Sequence, residues 1–114
     1  MRTFIAVDLG GTNIRAAIVD EEGKILDVKK DVTEAHLGKE HVMEKMENLI
    51  ASLKDYENAE GIGLGIPGPT DTVNGKIIIS NNLPDLVGYP IADRIREHFK
   101  KPTFMANDVK VAGL

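Results

Sequence analysis

The sequence contains no cysteine, which excludes disulfide bridges and thiolate metal sites from this chain. Aromatic residues make up only 4% of its 114 residues, so a platform of rings that stacks nucleic-acid bases is not expected. A net charge of −4 also disfavours non-specific binding to nucleic acid. No apolar run approaches the ~18 residues that a membrane span needs, and no signal peptide follows Met1. We therefore expect a cytoplasmic, globular protein with no nucleic-acid partner and no membrane contact.

The pattern of apolar residues predicts one α/β domain over residues 1–114. The predicted strands are Phe4–Val7, Ile14–Val19, Lys24–Val32, Ala59–Ile66, the short segment Lys76–Ser80, and Thr103–Ala106. The predicted helices are Lys39–Tyr56, with Leu49 and Leu53 on its apolar face, and Pro90–Phe99. The first three strands follow one another through short turns, which is typical of an antiparallel meander. The whole order predicts a mixed sheet with an antiparallel N-terminal meander, followed by helical crossovers.

The first motif that could carry chemistry runs from Asp8 to Arg15. Gly10 and Gly11 give a tight turn whose N–H groups can surround an anion, and Thr12 and Asn13 add side-chain donors. Asp8 ends the strand and could hold Mg²⁺ through water, because hard cations prefer oxygen ligands. The alternative interpretation is a hairpin turn with no ligand. The motif is neither a Walker loop nor a dinucleotide fingerprint, since no Gly-Lys-Ser/Thr follows and a strand, not a helix, comes next.

Two further motifs follow predicted strands. Gly61 to Pro69 places alternate glycines in a strand, which allows either a ligand or a neighbouring strand to approach the backbone closely. Gly68, in the loop after that strand, is the better candidate for a binding residue. Asn107 and Asp108 follow the last strand, where α/β sheets usually bind ligands, although both residues are also good helix caps.

Together the three motifs resemble the ROK family of sugar kinases (repressor, open reading frame, kinase). The matching segments are Asp8 to Arg15, Gly63 to Pro69 with Gly75 and the segment 82–84, and Ala106 to Ala112. The resemblance covers essentially the whole chain. It implies an actin-like, hexokinase-like ATPase domain with a ribonuclease H-like fold.

The resemblance also implies roles for individual residues. Asp108 would be the general base on a sugar hydroxyl, and Gly68, Asn82 and Asn107 would line the sugar pocket. The phosphates of ATP and a Mg²⁺ ion would be held by the first motif, at Asp8, Gly10, Gly11, Thr12 and Asn13. The substrate would be a hexose such as glucose, and the reaction a step of carbohydrate metabolism (glycolysis).

The second domain of such kinases is absent from this chain, so we expect the chain alone to be inactive. Either that missing C-terminal domain or a second copy in a homodimer would cover the surface exposed by its absence. Two alternatives stay open. One is a sugar-sensing ROK-type transcriptional regulator without its DNA-binding domain, and the other is a non-catalytic actin-like assembly domain. The three histidines, His36, His41 and His98, have no cysteine partners and are expected to be solvated.

Overall fold

The computed structural model describes residues 2–66, 69–78, 80 and 83–106. Within these ranges the strands are β1 (Thr3–Leu9), β2 (Asn13–Asp20), β3 (Ile25–Val32), β4 (Ile62–Gly65), β5 (Thr70–Asp71), β6 (Lys76–Ile77) and β7 (Thr103–Ala106). The helices are α1 (Lys39–Ala51) and α2 (Ile91–Phe99). Neither helix in the described part of the chain has the length and apolar character required to cross a membrane.

Five strands form the main sheet, in the order β3-β2-β1-β4-β7. The first three make the predicted antiparallel meander, in which Ile5 lies opposite Ile18. β4 then pairs in parallel with β1, and β7 in parallel with β4. Parallel neighbours need a crossover, and α1 and α2 lie in the two connections. β5 and β6 form a separate antiparallel pair in the second connection. The mixed sheet agrees with the fold class expected from the sequence.

One face of the sheet carries the hydrophobic core. Because side chains alternate along a strand, every second residue points at the helices, and each large apolar side chain buried there contributes roughly 1.5–3 kcal/mol. The strands supply Ile5, Val7, Leu9, Ile14, Ile18, Ile62, Leu64 and Met105, and the helices supply Val42, Met43, Met46, Ile50, Ile91 and Ile95.

The opposite face of the sheet carries neither helix and has an apolar patch. Phe4, Ala6 and Val19 border a cavity of about 190 Å³ there, together with Gly63 and Phe104. Phe104 remains 61% exposed. Its ring lies directly over Gly63, where an added Cβ would come within 3.2 Å of the ring carbons. The glycine in the middle of β4 is thus explained by packing against β7.

Most element boundaries differ from the sequence prediction by one or two residues, and β4 begins at Ile62 rather than Ala59. α1 ends at Ala51, although the apolar period continues to Leu53 and predicts a helix to Tyr56. Leu53 is indeed buried and Leu49 is half-buried, but Leu53 lies in a turn that reverses the chain, with Asp55 in the left-handed region at φ 57°. The predicted strand Lys76–Ser80 is β6, whose partner β5 has no apolar pattern of its own.

Gly75 is the glycine at which the fold tolerates substitution least. Its φ is +68°, and an added Cβ would lie 2.4 Å from the Cβ of Ala92 in α2. Gly75→Ala should therefore lose about 3 kcal/mol of unfolding free energy, from backbone strain and overpacking together. The matched control is Gly23→Ala, at φ +86° with no atom within 4 Å, which should lose only about 1 kcal/mol. Equal losses in chemical denaturation would show that the contact with Ala92 is relieved at no cost.

Candidate functional site

The parallel strands bring the first motif, and the ends of the strands that lead to the other two motifs, to one edge of the sheet. The register aligns Asp8 of β1 with Gly65 of β4, and Gly65 with Ala106 of β7. Since neighbouring strands are about 4.8 Å apart, the backbones at Asp8 and Ala106 are separated by roughly 10 Å. The Gly10–Asn13 turn, the segment after Ile66 and the segment after Ala106 all leave the sheet from this edge. A ligand about 10 Å long can contact the ends of all three strands.

Of the predicted site residues, the first motif is the one that the structure describes. Asp8 and Thr12 are exposed, while Gly10, Gly11 and Asn13 are half-buried. The turn closes through the Gly10 N–H, which donates to the carbonyl oxygen of Asn13 at 2.9 Å. Asp8 lies on the face of the sheet that neither α1 nor α2 covers, and its exposed carboxylate is available to a hydrated cation.

The glycines of this turn are not needed for a left-handed backbone conformation, although a Gly-Gly turn often requires one. Of the glycines that the structure describes, those with positive φ are Gly23, Gly38, Gly75 and Gly88, so neither glycine of the first motif needs the left-handed region. The requirement at Gly10 is one of space. An added Cβ would lie 3.2 Å from the carbonyl oxygen of Asn13, tighter than ordinary van der Waals contact.

Thr33, just after β3, holds the turn in place, and the sequence analysis did not identify it. Its hydroxyl donates to the carbonyl oxygen of Gly10 at 2.7 Å. Its backbone N–H donates to the carbonyl oxygen of Thr12 at 2.8 Å. Thr33 is completely buried, so losing its hydroxyl would leave the Gly10 carbonyl without this donor in a place where water has little access.

Lys45 of α1 anchors the residues on both sides of Thr33. Its ammonium donates to the carbonyl oxygen of Val32 at 2.8 Å and lies 2.7 Å from the Glu34 carboxylate. His41, one helical turn earlier, contacts the same carboxylate oxygen at 3.0 Å. Glu34 sits in the left-handed region, at φ 54° and ψ 49°. The hydrogen bonds from Lys45 and His41 lower the pKa of Glu34 to about 2.

The other predicted site residues lie outside the described part of the chain. They are Gly68, Asn82, Asn107 and Asp108. The backbone that leads to two of these segments is described as far as Ile66 and Ala106. The Ile66 N–H donates to the Ala106 carbonyl oxygen at 3.1 Å, so β4 and β7 remain paired up to the edge.

The histidines fit the sequence prediction in part. His36 and His98 are exposed, as expected, whereas His41 is half-buried and bound to Glu34. Across the described ranges, no three His, Cys, Asp or Glu side chains are grouped closely enough to hold a metal ion.

Two cavities of about 400 and 390 Å³ lie away from the motif edge. The first is between β3 and α1 and includes Asp31, His41 and Lys45, and the second includes Thr3, Ile18 and Leu26. Neither cavity borders the Gly10–Asn13 turn.

Lys45→Met tests the anchor, because it removes the ammonium and keeps an unbranched apolar side chain. The pKa of Glu34 should rise from about 2 towards 4.5, its ordinary value. In the parental protein the Lys45–Glu34 ion pair stabilises the fold at and above pH 4.5, and this stabilisation is lost as the pH falls towards 2. The variant should therefore lose this pH dependence, and NMR titration of the Glu34 carboxyl measures the change. Lys30→Met, on the exposed face of β3 away from α1 and opposite Arg15, is the charge-matched control; a Glu34 pKa that responds equally to both substitutions would rule out the direct bond.

Comparison with known proteins agrees with this geometry. A glucokinase from Thermotoga maritima is 38% identical over 105 residues, which are 92% of this chain and 33% of that protein. A ROK family glucokinase from Streptomyces griseus, solved with glucose and AMPPNP, superimposes with a TM-score of 0.82 at 28% identity. That match covers 92% of this chain and 33% of the other. A ROK hexokinase from Thermus thermophilus superimposes with a TM-score of 0.73 at 32% identity, over 91% of this chain and 34% of the other.

This chain thus spans about a third of the length of the relatives that it matches. The match to the ROK family itself extends over residues 4–114, which includes all three motifs at the sheet edge. The chain belongs to the ROK family, and its relatives include sugar kinases.

Proposed function

We propose that this chain is the N-terminal domain of an ATP-dependent hexose kinase of the glucokinase type. The observation that carries the proposal is the row formed by Asp8, Gly65 and Ala106. It brings a phosphate-type turn and the strand that leads to Asn107-Asp108 to the same edge. The glucose and the ATP analogue bound to the Streptomyces griseus relative support a nucleotide and a sugar as the two ligands.

The nucleotide side of the site belongs to the first motif. The Gly10–Asn13 turn would receive the phosphates of ATP, with backbone N–H groups and the side chains of Thr12 and Asn13 as donors. Asp8 would hold Mg²⁺ through its water ligands, and the ion, when bound, neutralises charge on the phosphate oxygens. The net negative charge of the chain is offset locally by these donors.

The sugar side of the site would be formed by Gly68, Asn82, Asn107 and Asp108. Asp108 would accept the proton of the sugar hydroxyl while the oxygen of that hydroxyl attacks the γ-phosphorus of ATP. The bond from this phosphorus to the bridging oxygen breaks, and ADP leaves with its electron pair. The roughly 10 Å between Asp8 and Ala106 leaves room for a phosphoryl group and an acceptor hydroxyl between the ends of β1 and β7.

Asp108→Asn in the full-length protein tests the proposed general base. The amide cannot accept the hydroxyl proton, so kcat should fall at least about 100-fold while the KM for glucose stays close to the parental value. Asn caps helices about as well as Asp, so the melting temperature should not change. A coupled assay of ADP formation measures the rates, with Asp93→Asn on the exposed face of α2 as the control. A variant with near-parental kcat would leave Asp108 as a helix cap alone.

The 114-residue chain by itself should transfer phosphate at a negligible rate. Phosphoryl transfer requires ATP, metal and acceptor to be positioned together, and the chain covers about a third of its relatives. The purified chain is assayed with ATP, Mg²⁺ and glucose beside the full-length protein. Turnover by the chain alone of roughly 1–100 per second, an ordinary kinase rate, would contradict the need for a second domain.

The apolar patch around Phe4, Ala6, Val19 and Phe104, on the face of the sheet that neither α1 nor α2 covers, supports a covering partner as well. We propose that the remainder of the full-length protein covers it, and that the isolated chain pairs with a second copy instead. Light scattering at high concentration distinguishes a dimer from a monomer.

A further inference from the structure

We propose that Thr33 is a positioning residue for the polyphosphate of ATP, an inference that rests on the proposed function. Thr33 need not touch the nucleotide. It lies behind the turn, buried between the end of β3 and the two carbonyl groups that it binds.

The direction of the turn's N–H groups follows from these two hydrogen bonds. In a trans peptide unit the C=O and N–H bonds point in opposite directions, and the described residues contain no cis peptide. The Gly10 carbonyl points at the Thr33 hydroxyl, so the N–H of Gly11 points away from Thr33. The Thr12 carbonyl points at the Thr33 N–H, so the N–H of Asn13 also points away. The two hydrogen bonds of Thr33 therefore direct the N–H groups of Gly11 and Asn13 towards the side of the turn from which an anion can approach.

The position of Thr33 is in turn supported by α1. Lys45 holds the Val32 carbonyl and the Glu34 carboxylate, the groups on either side of Thr33. A displacement of Thr33 would therefore break the contacts of Lys45 with Val32 and Glu34. A preorganised pair of donors binds an anion more tightly than a turn that must be ordered first, because the ordering cost is met during folding.

Three variants of the full-length protein separate positioning from stability. Thr33→Val keeps the buried volume and removes the hydroxyl, so the Gly10 peptide unit loses its fixed direction. Thr33→Ser keeps the hydroxyl and removes a buried methyl group, which lowers the melting temperature. The matched control is Thr103→Val: Thr103 is also buried, and its hydroxyl donates to the Lys101 carbonyl at 3.0 Å at the start of β7. That position is at the opposite edge of the sheet.

Thr33→Val should reduce kcat/KM for ATP about tenfold, the size of effect expected when one buried carbonyl loses its donor. The KM for glucose should not change. Thr33→Ser should keep the parental kcat/KM for ATP despite its lower melting temperature, and Thr103→Val should keep it as well. Parental ATP kinetics in Thr33→Val would overturn the inference. So would a kcat/KM for ATP that follows the melting temperature across all three variants.

Failure of the proposed function can be distinguished from failure of the Thr33 inference, because the parental protein would then phosphorylate no sugar. In that case the same variants are titrated with inorganic tripolyphosphate while the amide resonances of Gly11 and Asn13 are followed. About tenfold weaker binding by Thr33→Val than by Thr33→Ser would support the role of Thr33. Equal binding by the two variants, or no binding by the parental protein, would overturn it.

Discussion

The parallel register of β1, β4 and β7 is the constraint on which the site depends. Segments far apart in sequence reach one edge because Asp8, Gly65 and Ala106 occupy the same row. A shift of one residue in either pairing would move every side chain of the strand to the opposite face. The core face is filled by Ile62, Leu64 and Met105, so such a shift would expose apolar side chains. Packing on the helix side therefore also fixes the alignment of Asp8, Gly65 and Ala106 on the opposite face of the sheet.

The polar contacts around the first motif extend this control to α1. Lys45 is a helix residue, yet its hydrogen bonds end on the strand residues beside Thr33. The lowered pKa of Glu34 reflects the same contacts and keeps the carboxylate ionised well below pH 4.5. The helix therefore has two roles, since its apolar side fills the core while Lys45 and His41 hold the strand end that supports the turn.

The sequence predicts those parts of the molecule that have local patterns. The meander follows from short apolar runs separated by turns, and the edge location of Asp8 follows from its place at the end of such a run. The end of α1 could not be predicted, because Leu53 continues the helical period although it packs from a turn. Thr33 carries no local signal either, since its partners Gly10 and Thr12 lie more than 20 residues away, in the turn between β1 and β2. One pattern could have indicated Thr33. It is a hydroxyl residue directly after β3, the strand that pairs with the strand following the glycine turn.

The order of strands also bears on how the molecule folds. The β1–β2–β3 meander consists of local contacts, so the turn and its Thr33 support can form with little loop-closure entropy. Pairing of β4 with β1 must close a loop that contains α1, and β7 can pair only after β4 is in place. We expect the Gly10–Asn13 turn to be among the earliest parts to acquire its native form, and the pairing of β7 with β4 to be among the last. During synthesis from the N-terminus, the turn and its support from Thr33 would therefore form well before the five-stranded sheet is complete.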